Sequence, residues 1–83
     1  MTNKPIRKSD PFKVNNVDEA AGSIIYVGRE DPDGRWYISK IDESSNPIPI
    51  QYASIKNNST RTTYSTAWTN RTTLTYQDYS NAF

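Results

Sequence analysis

Alternation of apolar and polar positions is the clearest pattern in this chain, and it indicates β-strands. Between residues 35 and 42 the side chains alternate with a period of two, which places Trp36, Ile38 and Lys40 on one side of a predicted strand. Residues 23–28 contain a run of β-branched and aromatic side chains, which predicts a second strand that is buried on both faces.

Turn-forming residues separate these segments. The Pro-Asp-Gly sequence at residues 32–34 supplies a fixed φ, a residue that tolerates turn geometry, and a glycine for the positive-φ position. Further clusters of Ser, Asn and Pro occur at residues 43–47 and 56–59. We therefore expect short strands that follow one another through tight turns, beginning with a hairpin around residues 32–34.

The second half of the chain is predicted to complete the sheet. Ile48, Ile50 and Tyr52 share one face of a third strand, whose prolines place its start at a sheet edge or a bulge. Residues 60–75 are rich in threonine, which favours strands, and we expect two further strands there, interrupted near Asn70. The predicted fold is all-β, a small sandwich or barrel of about five short antiparallel strands.

The N-terminal part lacks a clear period. Residues 1–22 are expected to form an extended N-terminal arm, and residues 23–83 the small β domain. Pro5 and Pro11 block regular structure, although residues 15–21 could form a single helical turn. The apolar side chains of this arm are spaced too irregularly for an amphipathic helix, and each would suit a separate pocket on a neighbouring molecule.

Composition favours a protein that gains stability from neighbours. Only 34% of the 83 residues are hydrophobic, against about 45–50% in typical domains, and the chain has neither cysteine nor histidine. Disulfides and the commonest zinc ligand sets are therefore absent, and small scaffolds without them often oligomerise. The net charge of +1 is no general signature of a nucleic-acid binder, and no apolar run has the length of a membrane span.

Residues for catalysis are scarce. Without histidine or cysteine, the usual general base and the thiol nucleophile are missing. Asp31 and Asp33 are spaced as in a calcium loop, but Arg35 and Trp36 occupy the positions that would need Asp or Asn and then Gly. We predict no catalytic residue, no metal site, no cofactor and no small-molecule substrate, and hence a protein that is not an enzyme.

Aromatic side chains are the remaining signal, at 12% of the chain. They can form the core of a thin β fold, or serve as anchors at a protein–protein interface. A third interpretation, in which Trp36, Tyr37 or Tyr52 stack on bases, fits the near-neutral charge less well.

Three segments in order resemble small β-rich structural proteins of tailed bacteriophages. They are Tyr26-Val27-Gly28, then Trp36-x-Ile38-x-Lys40-Ile41, then Trp68-x-Asn70-Arg71 followed by Leu74 and Tyr76. The resemblance implies a virion component made in the host cytoplasm, which assembles with copies of itself and with other virion proteins. We expect an oligomeric connector or adaptor in the tail or at the head–tail neck. A capsid decoration protein and a small nucleic-acid-binding β-barrel are the alternatives.

These interpretations assign two sets of residues. The expected core consists of Ile24, Tyr26, Trp36, Ile38, Ile50, Tyr52, Trp68, Leu74 and Tyr76. The candidate interface residues are Ile6, Phe12, Val14, Lys40, Arg71 and Phe83.

Overall fold

The computed structural model describes residues 12–58 and 62–83, which form one antiparallel sheet followed by short helices. The four strands are β1 (Lys13–Ala21), β2 (Ile24–Glu30), β3 (Trp36–Asp42) and β4 (Ile50–Ser54). They lie in the sheet in their order along the chain. The helices are α1 (Tyr64–Thr69), a 3-10 turn (Arg71–Thr73) and α2 (Tyr79–Ala82). The all-β character of the prediction is confirmed. The described residues form four strands in one sheet, and neither a fifth strand nor a sandwich or barrel is confirmed.

The hairpin between β2 and β3 forms where the turn sequence predicts it. Gly34 adopts a φ of 87°, and its amide donates to the carbonyl of Asp31 at 3.0 Å. The buried carboxylate of Asp31 accepts from the amide of Arg35 at 2.8 Å and forms an ion pair with its guanidinium at 2.6 Å. Burial raises the pKa of Asp31, but the hydrogen bonds and charge of Arg35 outweigh this and hold that pKa below its usual value.

The last part of the predicted arm belongs to the sheet. Residues 13–21 form β1, which pairs with β2 so that Lys13 lies opposite Glu30 and Val17 opposite Val27. The helical turn predicted at residues 15–21 is therefore wrong. Backbone pairing with β2 satisfies donors and acceptors that an isolated helical turn would leave open.

The threonine-rich segment is helical where strands were predicted. Thr63 caps α1, because its hydroxyl accepts from the amide of Thr66 at 3.4 Å. Tyr64 and Ala67 are buried, and their spacing of three places both on the helix side that faces the sheet. Threonine favours strands only weakly, so burial of this short apolar stripe decides the local structure.

One side of the sheet carries the core, and we call it the covered face. Tyr26, Trp36 and Ile38 project from it, and Ile38 has no exposed surface. Tyr64 and Ala67 of α1 complete the buried cluster. The predicted core residues that pack around this cluster are Ile24, Trp68, Leu74 and Tyr76.

Candidate interaction surface

The opposite side of the sheet, which we call the open face, is apolar but much less covered. Residues paired across antiparallel strands share a face, so the register defines three rows across the sheet. The middle row is Val17, Val27, Ser39 and Tyr52; one flanking row is Ile25, Ile41 and Ile50; the other is Val14, Arg29, Tyr37 and Ser54. Alternation along β3 was predicted correctly, since Trp36 and Ile38 lie on the covered face and Tyr37 lies on the open one.

The aliphatic part of the open face is substantially exposed to solvent. Val14 is 52% exposed, Val17 53% and Ile50 47%. Ile48, which precedes β4, is 49% exposed. Apolar side chains scattered singly over a surface are common. Here the exposed ones lie on the two edge strands, and the partly exposed side chains of Val27, Ile25 and Ile41 connect them across the sheet.

Aromatic rings occupy the side of the open face next to β4. The ring of Tyr37 lies 5.0 Å from that of Phe12 and 5.1 Å from that of Phe83, both edge to face. Tyr52 contacts Phe83 at 5.6 Å and Tyr79 at 5.8 Å. These five residues, the aromatic cluster, line a cleft of about 300 Å³. Tyr79 is 67% exposed, so the cluster continues the apolar surface beyond the strands.

The C-terminal segment that bears Tyr79 and Phe83 is held in place by polar contacts. Gln77 forms a short antiparallel bridge with Tyr52, with amide–carbonyl distances of 2.8 and 2.9 Å. The hydroxyl of Ser54 donates to the carbonyl of Ala82, and the ammonium of Lys56 donates to that of Phe83 at 2.9 Å. These contacts to the main chain of Gln77, Ala82 and Phe83 fix the position of the C-terminal rings in the aromatic cluster.

A second polar group fixes the loop between β4 and α1. Asn58 is buried, and its amide group donates to the carbonyls of Ser54 at 3.1 Å and Thr75 at 3.2 Å. Its side-chain oxygen accepts from the amide of Thr75 at 2.8 Å. One asparagine thus joins the end of the sheet to the C-terminal segment.

Arg29 is the charged residue of the row that runs beside the aromatic cluster. Its guanidinium carbon lies 5.7 Å from the centre of the Tyr37 ring, within the range of a cation–π contact. Its Nε is buried and has no hydrogen-bond partner among the described residues. A buried donor without an acceptor costs free energy, so this Nε is an unfavourable feature of the monomer.

Polar contacts between β1 and the helical segment lie on the covered face. Arg71 forms an ion pair with Asp18 at 2.8 Å and stacks over Trp68, with its guanidinium carbon 4.5 Å from the ring centre. The hydroxyl of Tyr64 donates to the side-chain oxygen of Asn16 at 2.8 Å. The hydrogen bond from the amide of Ala20, followed by that from Arg71, lowers the pKa of Asp18.

Two tyrosines of the covered face titrate outside the physiological range. Burial raises the pKa of Tyr64 to about 12 and raises that of Tyr76 further. The hydroxyl of Tyr76 donates to the carbonyl of Arg71 at 2.8 Å. Both phenols therefore remain neutral hydrogen-bond donors, and they act as structural groups.

The candidate interface residues fall in different places. Val14 lies on the open face, while Phe12 and Phe83 belong to the aromatic cluster. Lys40 lies on the covered face, 5.5 Å from the Tyr76 ring centre, and Arg71 binds Asp18 of its own chain. Ile6 lies outside the described residues.

Two predicted core residues lie on the open face instead. Ile50 and Tyr52 share one side of β4, as their spacing predicts, but Ala53 is the β4 residue that faces Ile38. Sequence reasoning also missed Ile25 and Ile41 as surface residues. The alternation of side chains along β2 and β3 could have placed both isoleucines on the face opposite Ile38. A short apolar strand is equally consistent with burial on both faces, however.

The described residues show no group of three or more Asp, Glu, His or Cys side chains arranged to hold a metal ion. Nor does any helix in the described part of the chain have the length and apolar character needed to cross a membrane. Comparisons with protein-family models, curated proteins and solved structures gave no match to this chain.

Proposed function

We propose that this protein is a non-enzymatic structural component of a tailed-bacteriophage virion, acting as an oligomeric connector or adaptor in the tail or at the neck. In this role it is made in the host cytoplasm and binds copies of itself and other virion proteins. The open face is the surface that it offers to them.

The observation that carries the proposal is the exposure of aliphatic side chains on both edge strands of the open face. Val14, Val17 and Ile50 each leave about half of their surface in water. Transfer of apolar surface out of water is favourable by about 25 cal/mol per Å², so covering this patch favours association. Contiguous apolar patches on small proteins commonly mark interaction sites.

The sequence supports the same role from two other directions. Three segments, around Tyr26, Trp36 and Trp68, follow one another along the chain as in small phage structural proteins. The chain also contains neither histidine nor cysteine for catalysis. A capsid decoration protein has the same chemical requirements, and it differs in location and copy number.

Nucleic-acid binding is the weaker alternative. A surface that binds phosphates needs several cations, whereas the three rows of the open face contain Arg29 among aliphatic, hydroxyl and aromatic side chains. That composition fits a protein partner better than a phosphate backbone.

Quantitative mass spectrometry of purified particles tests the proposal. We expect the chain to be present at a small fixed number of copies per particle, far below the number of major capsid subunits. A copy number that scales with the shell would indicate the decoration protein, and absence from the particles would contradict a virion role.

A matched pair of variants tests the surface. Val17→Lys places a charge on the open face, whereas Thr72→Lys places it at an exposed position of the 3-10 turn. We expect particles to exclude the Val17→Lys chain and to incorporate the Thr72→Lys chain. Equal incorporation of both would show that the open face is not the docking surface.

A further inference from the structure

We propose that a second copy of this chain covers the open face, in a two-fold dimer whose sheets pack face to face. In this dimer Arg29 of each copy reaches Glu43 of the other. The inference rests on the assignment of the open face as the docking surface, and it names the occupant of that surface.

The occupant must supply an apolar surface of similar extent. The patch contains valines and isoleucines from all four strands, and the aromatic cluster extends it at one side. Residues 1–11 of the same chain offer Met1 and Ile6 as their large apolar side chains, too few to cover four strands. A second open face provides a matching set by symmetry.

Charge also disfavours the N-terminal residues as the cover. Residues 1–11 contain the cations Lys4, Arg7 and Lys8 against one acidic residue. Arg29 already presents a positive charge on the open face, and its buried Nε has no acceptor there among the described residues. The group that this surface needs is a carboxylate, not another cation.

The two ends of the open face carry complementary charges. Arg29 lies near the end of β2, opposite Tyr37. Glu43 is exposed just after β3, and its amide donates to the carbonyl of Ser23 at 2.8 Å, which places it beside the start of β2. Arginine and acid therefore lie at opposite ends of the same pair of strands.

One symmetry operation brings these charges together. A two-fold axis in the interface plane and perpendicular to the strands lays the Arg29 end of one sheet over the Glu43 end of the other. The axis then runs between the middle row and the row of Ile25, Ile41 and Ile50, so these two apolar rows pack against each other. An axis parallel to the strands would instead place both Arg29 side chains at the same end of the interface, where like charges repel.

The size of the face sets the expected strength. Four strands about 4.8 Å apart, with about 3.3 Å per residue, make a face of roughly 20 Å by 20 Å. Side-chain relief and the aromatic cluster enlarge it, and two copies bury roughly 1,000 Å² in total, at the lower limit of specific interfaces. We expect a dimer that dissociates on dilution in the micromolar range, not an obligate one.

Sedimentation equilibrium of the full chain, over a thousandfold range of concentration, tests the pairing. We expect Arg29→Glu and Glu43→Arg each to raise the dimer dissociation constant at least tenfold, because like charges then face each other. The double variant restores the pair in the opposite sense, and its dissociation constant should return to within about threefold of the original. Thr72→Arg, outside the open face, should leave the constant unchanged.

Thermal melts of each variant show whether it is folded. If Arg29→Glu does not fold, Val17→Lys replaces it as the variant that must abolish the dimer. A chain that is monomeric at every concentration overturns the proposal, as does a double variant that associates no better than the single ones.

Failure of this inference is distinguishable from failure of the virion role. A monomeric chain that is present in particles, and is excluded from them by Val17→Lys, would mean that another virion protein covers the open face. A dimer restored by the charge exchange, in a chain that is absent from particles, would support the pairing and contradict the virion role.

Discussion

The two faces of this sheet come from the same strands, but the described residues cover them unequally. On the covered face Ile38 is fully buried beneath Tyr64 and Ala67, whereas on the open face Ile50 remains 47% exposed. Apolar composition therefore does not distinguish the two faces. The difference lies in where the elements after β4 pack. The helix α1 lies on the covered face, whereas α2 and Phe83 contact only the β4 side of the open face.

Polar contacts explain why residues 62–73 pack on the covered face. The indole Nε1 of Trp36 donates to the carbonyl of Thr62 at 2.8 Å, just before α1. Arg71 binds Asp18 farther along the segment. Such contacts fix the position of helices that are too short to be stable alone. Among the described residues, the helices after β4 cover one apolar face of the sheet and only the β4 side of the other.

The largest difference between the faces is expected when isoleucine is truncated on each. Ile38→Ala leaves a cavity in the packed core and should lower the free energy of unfolding by about 2–5 kcal/mol. Ile50→Ala removes side-chain atoms that are half in water, and should cost about 1 kcal/mol or less. Chemical denaturation of both variants, at concentrations where the chain is monomeric, gives the values. Equal losses would contradict the assignment of the core to one face.

A methyl group added at Gly28 should disturb the contact between α1 and the sheet. A Cβ there would lie 2.8 Å from Cε3 of Trp68 and would also collide with the ring of Tyr64. Overpacking of this kind destabilises by about 1–3 kcal/mol, and we expect such a loss for Gly28→Ala. Adding Trp68→Ala should remove part of the clash, so the two losses should be less than additive in a double-mutant cycle. Full additivity would mean that the two residues do not compete for space.

The ion pair between Asp18 of β1 and Arg71 of the 3-10 turn should make the free energy of unfolding depend on pH in the acidic range. The pKa of Asp18 is lower in the folded chain, so its stabilisation is complete above the unfolded value of about 3.9 and is lost as pH falls through the folded pKa. Asp18→Asn should therefore lower stability at pH 7 and flatten its decline below about pH 4. Denaturation over pH 2–7 measures both effects. Asp33→Asn, whose carboxylate is 81% exposed, is the control, and an identical pH profile for both variants would contradict this role of Asp18.

The smallest change in monomer stability is expected on the open face. Val17→Lys replaces a side chain that is 53% exposed, and it should alter the free energy of unfolding by about 0.5 kcal/mol or less. Its effect should appear in association instead, since a desolvated ammonium opposes docking. Parallel denaturation and sedimentation measurements separate the two quantities. A large loss of monomer stability would show that Val17 is a core residue.

Local signals identified the central part of the fold. The turn at residues 32–34 and the alternation of β3 were predicted because each depends on residues close together in sequence. The strand β1 was not predicted, because its bulges between Val14 and Asn16 and between Asp18 and Ala21 interrupt the period of two. The helix α1 was not predicted because its apolar stripe is a single turn long.

The residues of the open face were predicted only in part. Phe12, Val14 and Phe83 were identified as isolated apolar residues near the ends of the chain, and they do lie on or beside the open face. Lys40 and Arg71 were included for their charge, and both contact aromatic rings of the covered face. Charge alone does not say which side of a sheet a residue occupies.

The sequence by itself determined that the central segments form β-strands, where the main turn lies, and how the side chains of β3 divide between two faces. Tertiary structure decided which set became the core, because that depends on where the C-terminal segment docks. The contact between Arg71 and Asp18 joins residues 53 positions apart, and no local pattern encodes it. The open face is thus a consequence of the chain's return path, since both faces have apolar side chains to bury. The helix α1 packs on the covered face, whereas α2 and Phe83 reach only the β4 side of the open face.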